Sequence, residues 1–414
     1  MDLDLSFVRS RFPAFAQPDL ADWSFFENAG GSFPCAATVD ALNHFYLHTK
    51  VQPYGPYPAS AAGAEAMDRS RRRWAEALGA AVDEVVFGPS TTANTYVLAN
   101  ALAPSLGPGV RVVVTNQDHE ANTGAVRRVA EAAGAEVVEW RVDPVTGLLD
   151  LDRLVPLLTP TTAVVTMPHC SNIVGVENDV ATVAALVHEV GARLVVDGVS
   201  YAPHGLPDVA ALGVDVYLFS LYKVYSVHQG VMVVRNGWID ELPNQGHGFN
   251  AAYPAKRLAP AGPDHAQEGA AGAVLDYVEE LHRHHGGSPD DDLAAATRAV
   301  SARWQAHERE LLAPLLATLS ELDGIRLLGP ATTDGPTHRC PTVAFVPLAR
   351  EPEAVAAALV DHGIMAGAGD FYANRVLSGL DVDPDRGVVR VSFVHYTSVD
   401  DIDRLSVALR AELG

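Results

Sequence analysis

Residues 193–223 read RLVVDGVSYAPHGLPDVAALGVDVYLFSLYK, in which two strongly apolar runs flank a polar, turn-rich segment. The runs at 193–199 and 216–221 are continuous rather than alternating, which is typical of strands buried on both faces. Asp197 lies near the end of the first run, and Lys223 follows the second. We therefore predict two neighbouring strands of a mostly parallel sheet, with both side chains at the edge where open α/β sheets bind ligands.

The same pattern continues on both sides of this stretch. Short apolar runs alternate with helical periodicity from about residue 65 to residue 235, which predicts crossover units around one sheet. The predicted strands are 84–88, 111–116, 136–141, 163–167, 193–199, 216–221 and 231–235. The predicted helices are 65–79, 92–102, 121–133 and 180–190. The predicted fold class is α/β, with a mostly parallel seven-stranded sheet flanked by helices.

The pattern changes towards the carboxyl terminus. Residues 243–269 are rich in Gly, Pro, Asn and His, which predicts a long loop or a subunit contact. Beyond residue 281 the elements form an α+β unit of ordinary domain size. They are helices 293–322, 352–362 and 400–413 and strands 325–328, 342–346, 364–368 and 388–394. We predict three parts, an N-terminal arm at 1–22, a large domain at 23–280 and a small C-terminal domain at 281–414.

Composition limits the classes of function. The 414 residues include 29 basic and 51 acidic side chains, and the net charge of −22 disfavours binding to nucleic acid or anionic membranes. No apolar run reaches the roughly 18 residues of a membrane helix, and MDLDLSFVRSRF at the N-terminus is not a secretory signal. Cys35, Cys170 and Cys340 are too widely spaced for a disulfide framework or a zinc site. We therefore expect a soluble cytoplasmic protein without a metal, nucleic-acid or membrane partner.

Lys223 and Asp197 are candidates for cofactor chemistry. A lysine at a strand end is most often a surface residue, but a buried lysine has a lowered pKa and can bond to an aldehyde such as pyridoxal phosphate. A carboxylate at a strand end often caps a turn, but it can also pair with the ring nitrogen of that cofactor. The position of both residues at the ends of neighbouring predicted strands favours the cofactor interpretation.

Four further stretches contain candidate side chains. In FGPSTTANT the turn at 90–92 opens a helix, whose first N–H groups suit a phosphate, although Ser and Thr are also ordinary caps. His119 in DHEAN can stack on a pyridine ring and move protons, although a lone His is more often structural. Asn172 in HCSNIVG can bond a ring oxygen or merely hold a turn. Arg390 in VVRVSFVHY fits a substrate carboxylate, and an internal Asp or Glu would serve equally well.

Together these residues resemble the aminotransferase class V family of pyridoxal phosphate enzymes with fold type I. The resemblance is nearest to its cysteine desulfurase-like branch, alongside isopenicillin N epimerase-like proteins. It runs from FENAGGS at 26–32 to RVSFVHYTS at 390–398 and includes VDGVSYAPH and SLYKVYSVH. The resemblance implies that Lys223 binds pyridoxal 5′-phosphate covalently and acts as acid and base, that Asp197 pairs with the ring nitrogen, and that His119 stacks on the ring.

The resemblance implies further contacts and a quaternary structure. The implied contacts are Thr91, Thr92 and Ser220 for the phosphate, Asn172 and Ser200 near the ring hydroxyl, Tyr222 beside the cofactor, and Asn28, Ala29, Tyr372 and Arg390 for the substrate. A homodimer with the active site at the subunit interface is also implied. Aromatic side chains in 51–64 and 243–269 fit either a roomy pocket or dimer packing.

Departures from the family pattern decide the predicted reaction. Desulfurases have a nucleophilic cysteine on a loop of the small domain, whereas the matching stretch here is GAGDFYANR, with Tyr372 in that place. A thiol is required to form a persulfide, so we predict that this chain is not a persulfide-forming desulfurase. Ser200 replaces a usual glutamine, and the motif by which a partner subunit binds the phosphate is poorly matched at 263–268.

The predicted reaction is C–S β-elimination from an S-substituted cysteine in specialised metabolism, such as antibiotic biosynthesis. Loss of the α-proton to Lys223 gives a carbanion, which expels a leaving group from the β-carbon. Decarboxylation-coupled oxidative deamination, transamination and epimerisation remain open, because the fold alone does not choose among them. A catalytically retired fold is a further alternative, and the presence of Lys223, Asp197 and Arg390 counts against it.

Overall fold

The structure, a computed structural model, describes residues 3–235, 237–334 and 338–414, so residues 1 and 2 of the predicted arm lie outside it. The strands are β1 (Ser24–Phe25), β2 (Val85–Gly88), β3 (Arg111–Thr115), β4 (Glu136–Trp140), β5 (Thr162–Pro168), β6 (Arg193–Asp197), β7 (Val216–Ser220), β8 (Gly230–Val234), β9 (Ile325–Leu327), β10 (Thr342–Pro347), β11 (Ile364–Met365), β12 (Gly367–Gly369) and β13 (Val388–Ser392).

The helices connect these strands and cover the sheets. They are α1 (Leu5–Ser10), α2 (Ala36–His44), α3 (Pro58–Leu78), α4 (Thr91–Leu102), α5 (Glu120–Ala133), α6 (Leu151–Leu154), α7 (Val180–Glu189), α8 (Val209–Leu212), α9 (Trp238–Glu241), α10 (Pro254–Arg257), α11 (His265–Ala270), α12 (Val274–His284), α13 (Leu293–Ser320), α14 (Pro352–Val360), α15 (Asn374–Gly379) and α16 (Val399–Leu413). Within the described residues, none of them combines the length and apolar character that crossing a bilayer requires.

A seven-stranded sheet forms the centre of the large domain, in the order β2-β8-β7-β6-β5-β3-β4. Neighbouring strands from β7 to β4 run parallel, while β8 is antiparallel to both of its neighbours. Parallel neighbours need a long crossover, and β8 runs antiparallel to β7 because the short segment 221–229 connects them. The predicted mostly parallel sheet of seven strands is confirmed.

Both faces of this sheet are buried. Alternate residues of β6 and β7 enter two different hydrophobic cores, with Leu194 and Tyr217 in one and Val195 and Val216 in the other. Burying such a side chain contributes about 1.5–3 kcal/mol, so a continuous apolar strand is favoured where both of its faces are covered. At the carboxyl ends of these two strands the apolar runs give way to Asp197 and Ser220, and the candidate site lies there.

The small domain packs a four-stranded antiparallel sheet, β12-β13-β10-β9, against α13, α14 and α16. Leu315 of α13, Phe345 of β10 and Leu409 of α16 lie in its core. The N-terminal segment joins this domain through β1, which pairs in parallel with β11. The limits of the three predicted parts, 1–22, 23–280 and 281–414, stay a prediction.

Some predictions of local structure are wrong. Residues 243–269 are not one long loop, because α10 and α11 form within them, started by Pro254 in the first turn and by the cap Asp264 respectively. The predicted strand 364–368 is two short strands, β11 and β12, in different sheets. Helix α3 begins at Pro58 rather than at residue 65, since proline is well tolerated in a first turn.

Candidate active site

A recess lies at the carboxyl ends of β5, β6 and β7, beside the first turn of α4. The empty space between its lining atoms, which includes some open solvent, amounts to about 460 Å³. Every residue predicted to contact the cofactor lines it, namely Thr91, Thr92, His119, Asn172, Asp197, Ser200, Ser220, Tyr222 and Lys223. These residues come from separate loops, and they meet because parallel strands end at the same edge of the sheet.

Lys223 ends the short helical turn Leu221–Lys223 that follows β7, and its side chain is buried. Burial and the nearby charge of Arg390 lower the pKa of Lys223 from 10.5 to about 8, although Asp197 and Glu27 act in the opposite direction. A larger neutral fraction is therefore present at neutral pH than for a lysine in water. The neutral amine is the form that bonds to an aldehyde or accepts a proton from carbon.

Asp197 is the last residue of β6 and pairs with Pro168 of β5 and Leu218 of β7. One of its carboxylate oxygens accepts a hydrogen bond of 2.8 Å from the N–H of Val199. Burial raises the pKa of Asp197 from 3.8 to about 6. The hydrogen bond from the N–H of Val199 and the charge of Lys223 act in the opposite direction and limit the rise. A cationic ring nitrogen in the recess would complete this environment and favour the ionised carboxylate.

His119 caps the N-terminus of α5, and its Nδ1 accepts a hydrogen bond of 3.0 Å from the N–H of Ala121. That bond places the proton of the neutral ring on Nε2. Burial, with Lys223 and Arg390 nearby, lowers the pKa of His119 to about 3. A neutral ring suits stacking on a cofactor, whereas the predicted proton-transfer role gains no support from this environment.

The first turn of α4 provides donors for an anion. The hydroxyls of Thr91 and Ser220 share a hydrogen bond of 2.7 Å. The N–H groups of Thr91 and Thr92 begin the helix, where no preceding turn offers them a carbonyl. Gly230 of β8 allows the start of α4 to lie close to the sheet, because a Cβ at this position would lie 2.4 Å from the backbone carbonyl carbon of Ser90. The arrangement suits a phosphate group.

Asn172 leaves an unsatisfied atom at the recess. Its side-chain nitrogen donates to the carbonyl of Phe371 at 3.0 Å, while its side-chain oxygen is buried without a partner. An unpaired buried polar atom costs about 1–3 kcal/mol. A hydroxyl donor, such as the ring hydroxyl of pyridoxal phosphate, would satisfy it.

Arg390, on β13, already has an internal partner. Its Nη2 donates to Oε1 of Glu27 at 2.8 Å, and the arginine side chain is 4% exposed. Its Nη1 donates to the backbone carbonyl of Asn172 at 3.3 Å, which connects the ion pair to the recess. Of the two partners that the sequence leaves open, the structure shows the internal acid.

The segment at Asn28 and Ala29 is bound within the protein. The side-chain nitrogen of Asn28 donates to the carbonyls of Phe25 and Ser392, and its oxygen accepts from the hydroxyl of Tyr396. The N–H of Ala29 donates to Oγ of Ser392 at 2.8 Å. The prediction that the side chain of Asn28 binds substrate therefore finds no support in the structure, and its bonds instead fix the neighbouring backbone.

Tyr372 stands beside the recess on a strained loop. Its ring centre lies 5.3 Å from that of His119, and 70% of the residue is exposed. Phe371 and Tyr372 have φ values of 51° and 55°, which cost a non-glycine residue of order 1–3 kcal/mol each. The carbonyl of Tyr372 accepts from the N–H of Glu120 at 2.8 Å, so the loop is tied to the helix that His119 caps.

Sequence reasoning missed Glu27 and Cys170. Glu27 lies within the quoted motif FENAGGS, so an acid was visible there as a possible partner for Arg390. Cys170 lines the recess, but it is buried and its Sγ donates to the carbonyl of Ser171. The described residues contain no cluster of His, Cys, Asp and Glu suited to a metal ion.

Comparison with known proteins decides the family. The model of aminotransferase class-V proteins matches residues 24–280 and 293–405. The chain belongs to the aminotransferase class-V family. This class-V chain is 34% identical to the aminotransferase-like protein FGM3 of Gibberella zeae, over 98% of both proteins. It is 30% identical to the nonribosomal peptide synthetase-like enzyme fsqF of Aspergillus fumigatus, over 98% of this chain but 26% of that enzyme.

A solved structure shows the same fold. The cysteine desulfurase of Thermococcus onnurineus NA1 aligns with a TM-score of 0.88 at 23% identity, over 100% of the class-V chain and 98% of the desulfurase. Proteins of this family depend on pyridoxal phosphate, which is therefore the cofactor of the chain. The recess fits that group, with a buried lysine, a buried carboxylate, an unsatisfied amide oxygen and a helix N-terminus.

Proposed function

We propose that this class-V enzyme cleaves the C–S bond of an S-substituted cysteine by β-elimination in specialised metabolism, and that it forms no protein persulfide. The observation behind this proposal is that Lys223 and Asp197 line one recess, beside the ring of Tyr372. The family resemblance implies that Tyr372 takes the place of the desulfurase cysteine. The described chain has no exposed thiol, since Cys35, Cys170 and Cys340 are all buried. The cysteine desulfurase of Thermococcus onnurineus NA1 has the same fold.

Each proposed role follows from a position in the recess. Pyridoxal phosphate supplies an electron sink for negative charge at the carbon beside the substrate amino group. The neutral amine of Lys223 takes the proton from that carbon, and the carboxylate of Asp197 holds a proton on the ring nitrogen. His119 would cover one face of the ring, and the first turn of α4 with Ser220 would hold the phosphate.

Elimination accounts for all atoms without a protein thiol. The C–H proton passes to Nζ of Lys223, and the C–S bond breaks with its electron pair on sulfur, which leaves as a thiol. Water then replaces the amino nitrogen, so the overall products are a thiol, pyruvate and ammonia. A desulfurase instead needs a protein thiolate to attack the substrate sulfur, and its product from cysteine is alanine.

Product analysis tests this proposal. The loaded enzyme is incubated in air with L-cysteine and a panel of S-substituted cysteines, and the products are identified by mass spectrometry. We expect a thiol with pyruvate from at least one S-substituted substrate, and neither alanine nor a protein mass increase of one sulfur atom from L-cysteine. Lys223→Ala provides the blank, since it should remove every product that depends on the site.

Other products would contradict the proposal in different ways. Alanine with a protein-bound persulfide would establish desulfuration. An aldehyde one carbon shorter than the substrate, with carbon dioxide, would establish the oxidative branch. A keto acid that retains the sulfur would establish transamination, and a D-amino acid would establish epimerisation.

We also propose a homodimer that covers a second, larger cavity beside the recess. Tyr54 and Phe249 line this cavity and are 65% and 79% exposed, and clustered exposed aromatic groups are typical of interfaces. Sedimentation equilibrium should give twice the mass of one chain, and Phe249→Asp should shift the protein towards the monomer. Val145→Asp changes a residue that is 86% exposed elsewhere and should leave the mass unchanged. A monomeric wild type would contradict the proposal.

A further inference from the structure

Glu27 holds Arg390 through one of its two oxygens. Oε1 accepts from Nη2 of Arg390 at 2.8 Å, while Oε2 is buried without a hydrogen-bond partner. The side chain of Glu27 is 28% exposed and that of Arg390 is 4% exposed. The acid is therefore the outer member of the pair and the one with access to solvent.

The guanidinium of Arg390 also has hydrogen-bonding capacity that the protein does not fill. Its Nε is buried without a partner, and its Nη1 makes a contact of 3.3 Å with the carbonyl of Asn172. The ring of Phe371 lies 3.7 Å from its Cζ and covers one face. A carboxylate bound bidentately takes two parallel N–H groups, for example Nε and Nη2. Glu27 takes one of them, so the binding edge is half occupied.

The backbone around Glu27 is shaped to admit its carboxylate. A Cβ on Gly30 would lie 2.8 Å from Oε1, and a Cβ on Gly367 would lie 2.5 Å from Oε2. Gly367 is the register partner of Arg390 between β12 and β13. The carboxylate thus lies between two glycines, in a place that a side chain at either position would obstruct.

We propose that Glu27 is a resident counter-ion of Arg390, which a substrate carboxylate must displace in order to bind. The inference rests on the proposed function, in which the substrate is an amino acid, and on the role implied for Arg390 by the family resemblance, which is to bind the α-carboxylate. Two carboxylates on one buried guanidinium repel each other, so the incoming group gains the arginine only as Glu27 swings towards solvent. Glu27 thereby lowers the affinity of the site for carboxylates. Carboxylic acids that bind only weakly are therefore excluded from Arg390.

Acetate is the minimal probe for this competition. Its dissociation constant is measured by calorimetry on the enzyme loaded with pyridoxal phosphate, with chloride keeping the ionic strength constant. We expect Glu27→Gln to bind acetate about tenfold more tightly than the wild type, because the arginine loses its competing anion. Glu27→Asp retains the charge on a shorter side chain and should also bind acetate more tightly, since direct contact with Arg390 is lost.

Two control variants separate this inference from the proposed function. Glu351→Gln removes an exposed partner of Arg386 in the small domain and should bind acetate as the wild type does. Arg390→Ala, combined with Glu27→Gln, should abolish the tight acetate binding of that variant. Equal acetate affinity in the wild type, Glu27→Gln and Glu27→Asp, all dependent on Arg390, would overturn the competition and leave the carboxylate role of Arg390 intact. Acetate binding that survives Arg390→Ala, or is absent from both Glu27 variants, would overturn both.

Discussion

Lys223→Ala is expected to lower kcat by at least about 10³-fold and to prevent covalent attachment of pyridoxal phosphate. The expectation follows from the position of Lys223 at the end of β7, where its side chain is buried in the recess and no other lysine is near. The three lysines of the chain are Lys50, Lys223 and Lys256. In the described structure the other two have charged groups within reach of solvent, with Lys50 lying 4.0 Å from Asp264.

Covalent attachment can be measured without any substrate. Borohydride reduction of the loaded enzyme fixes the cofactor to the lysine that holds it, and peptide mass spectrometry then identifies that lysine. We expect the label on Lys223 alone, with Lys50→Ala and Lys256→Ala labelled like the wild type. Label on either of those two residues, or full turnover by Lys223→Ala, would show that the assignment is wrong.

The recess could be predicted from sequence because its residues follow strands with an unambiguous pattern. Continuous apolar runs locate β5, β6 and β7, and parallel strands of one sheet end at one edge. A polar side chain just after such a run, as Asp197 and Lys223 illustrate, is therefore placed in space by its position in sequence. The chemistry of these side chains then restricts the ligand, even though their contacts are not visible in the sequence.

The partner of Arg390 could not be predicted in the same way. Glu27 and Arg390 are separated by 363 positions, and their contact depends on the two-residue strand β1 pairing with β11. A strand of two residues has no periodicity that a sequence pattern can reveal. The sequence therefore indicates that Arg390 needs an anion, and the tertiary structure decides which one it has.

The role of Asn28 stays a prediction, and it depends on contacts that the sequence does not reveal. The family resemblance implies a substrate contact for Asn28, whereas in the structure its side-chain groups bond to Phe25, Ser392 and Tyr396. Two of these partners lie in the small domain, far from Asn28 in sequence. Whether a polar side chain is free for a ligand depends on such distant partners, and local motifs do not report them.

Asp197→Asn is expected to lower kcat by about 10²–10³-fold while the fold is retained. The amide has nearly the same shape and can still accept the hydrogen bond from the N–H of Val199. It carries no charge, so it does not hold a proton on the ring nitrogen, and negative charge on the substrate is less well stabilised. Removal of one preorganised electrostatic contact typically has an effect of this size. Asp179→Asn, which exchanges one favourable helix cap for another at α7, should retain full activity.

The pH dependence of cofactor affinity distinguishes a charge effect from a packing effect. The pKa of Asp197 in the cofactor-free protein is about 6, so this carboxyl becomes protonated as the pH falls below that value. A cofactor with a protonated ring nitrogen favours the ionised carboxylate, so its binding to the wild type should weaken by up to about tenfold per pH unit below 6.

The cofactor phosphate titrates in the same range, but its contribution is common to wild type and Asp197→Asn. The difference in dissociation constant between the two proteins should therefore be large at pH 7.5 and shrink as the pH falls through 6. A difference that does not change with pH would show that Asp197 acts through packing, and that the ring nitrogen has another partner.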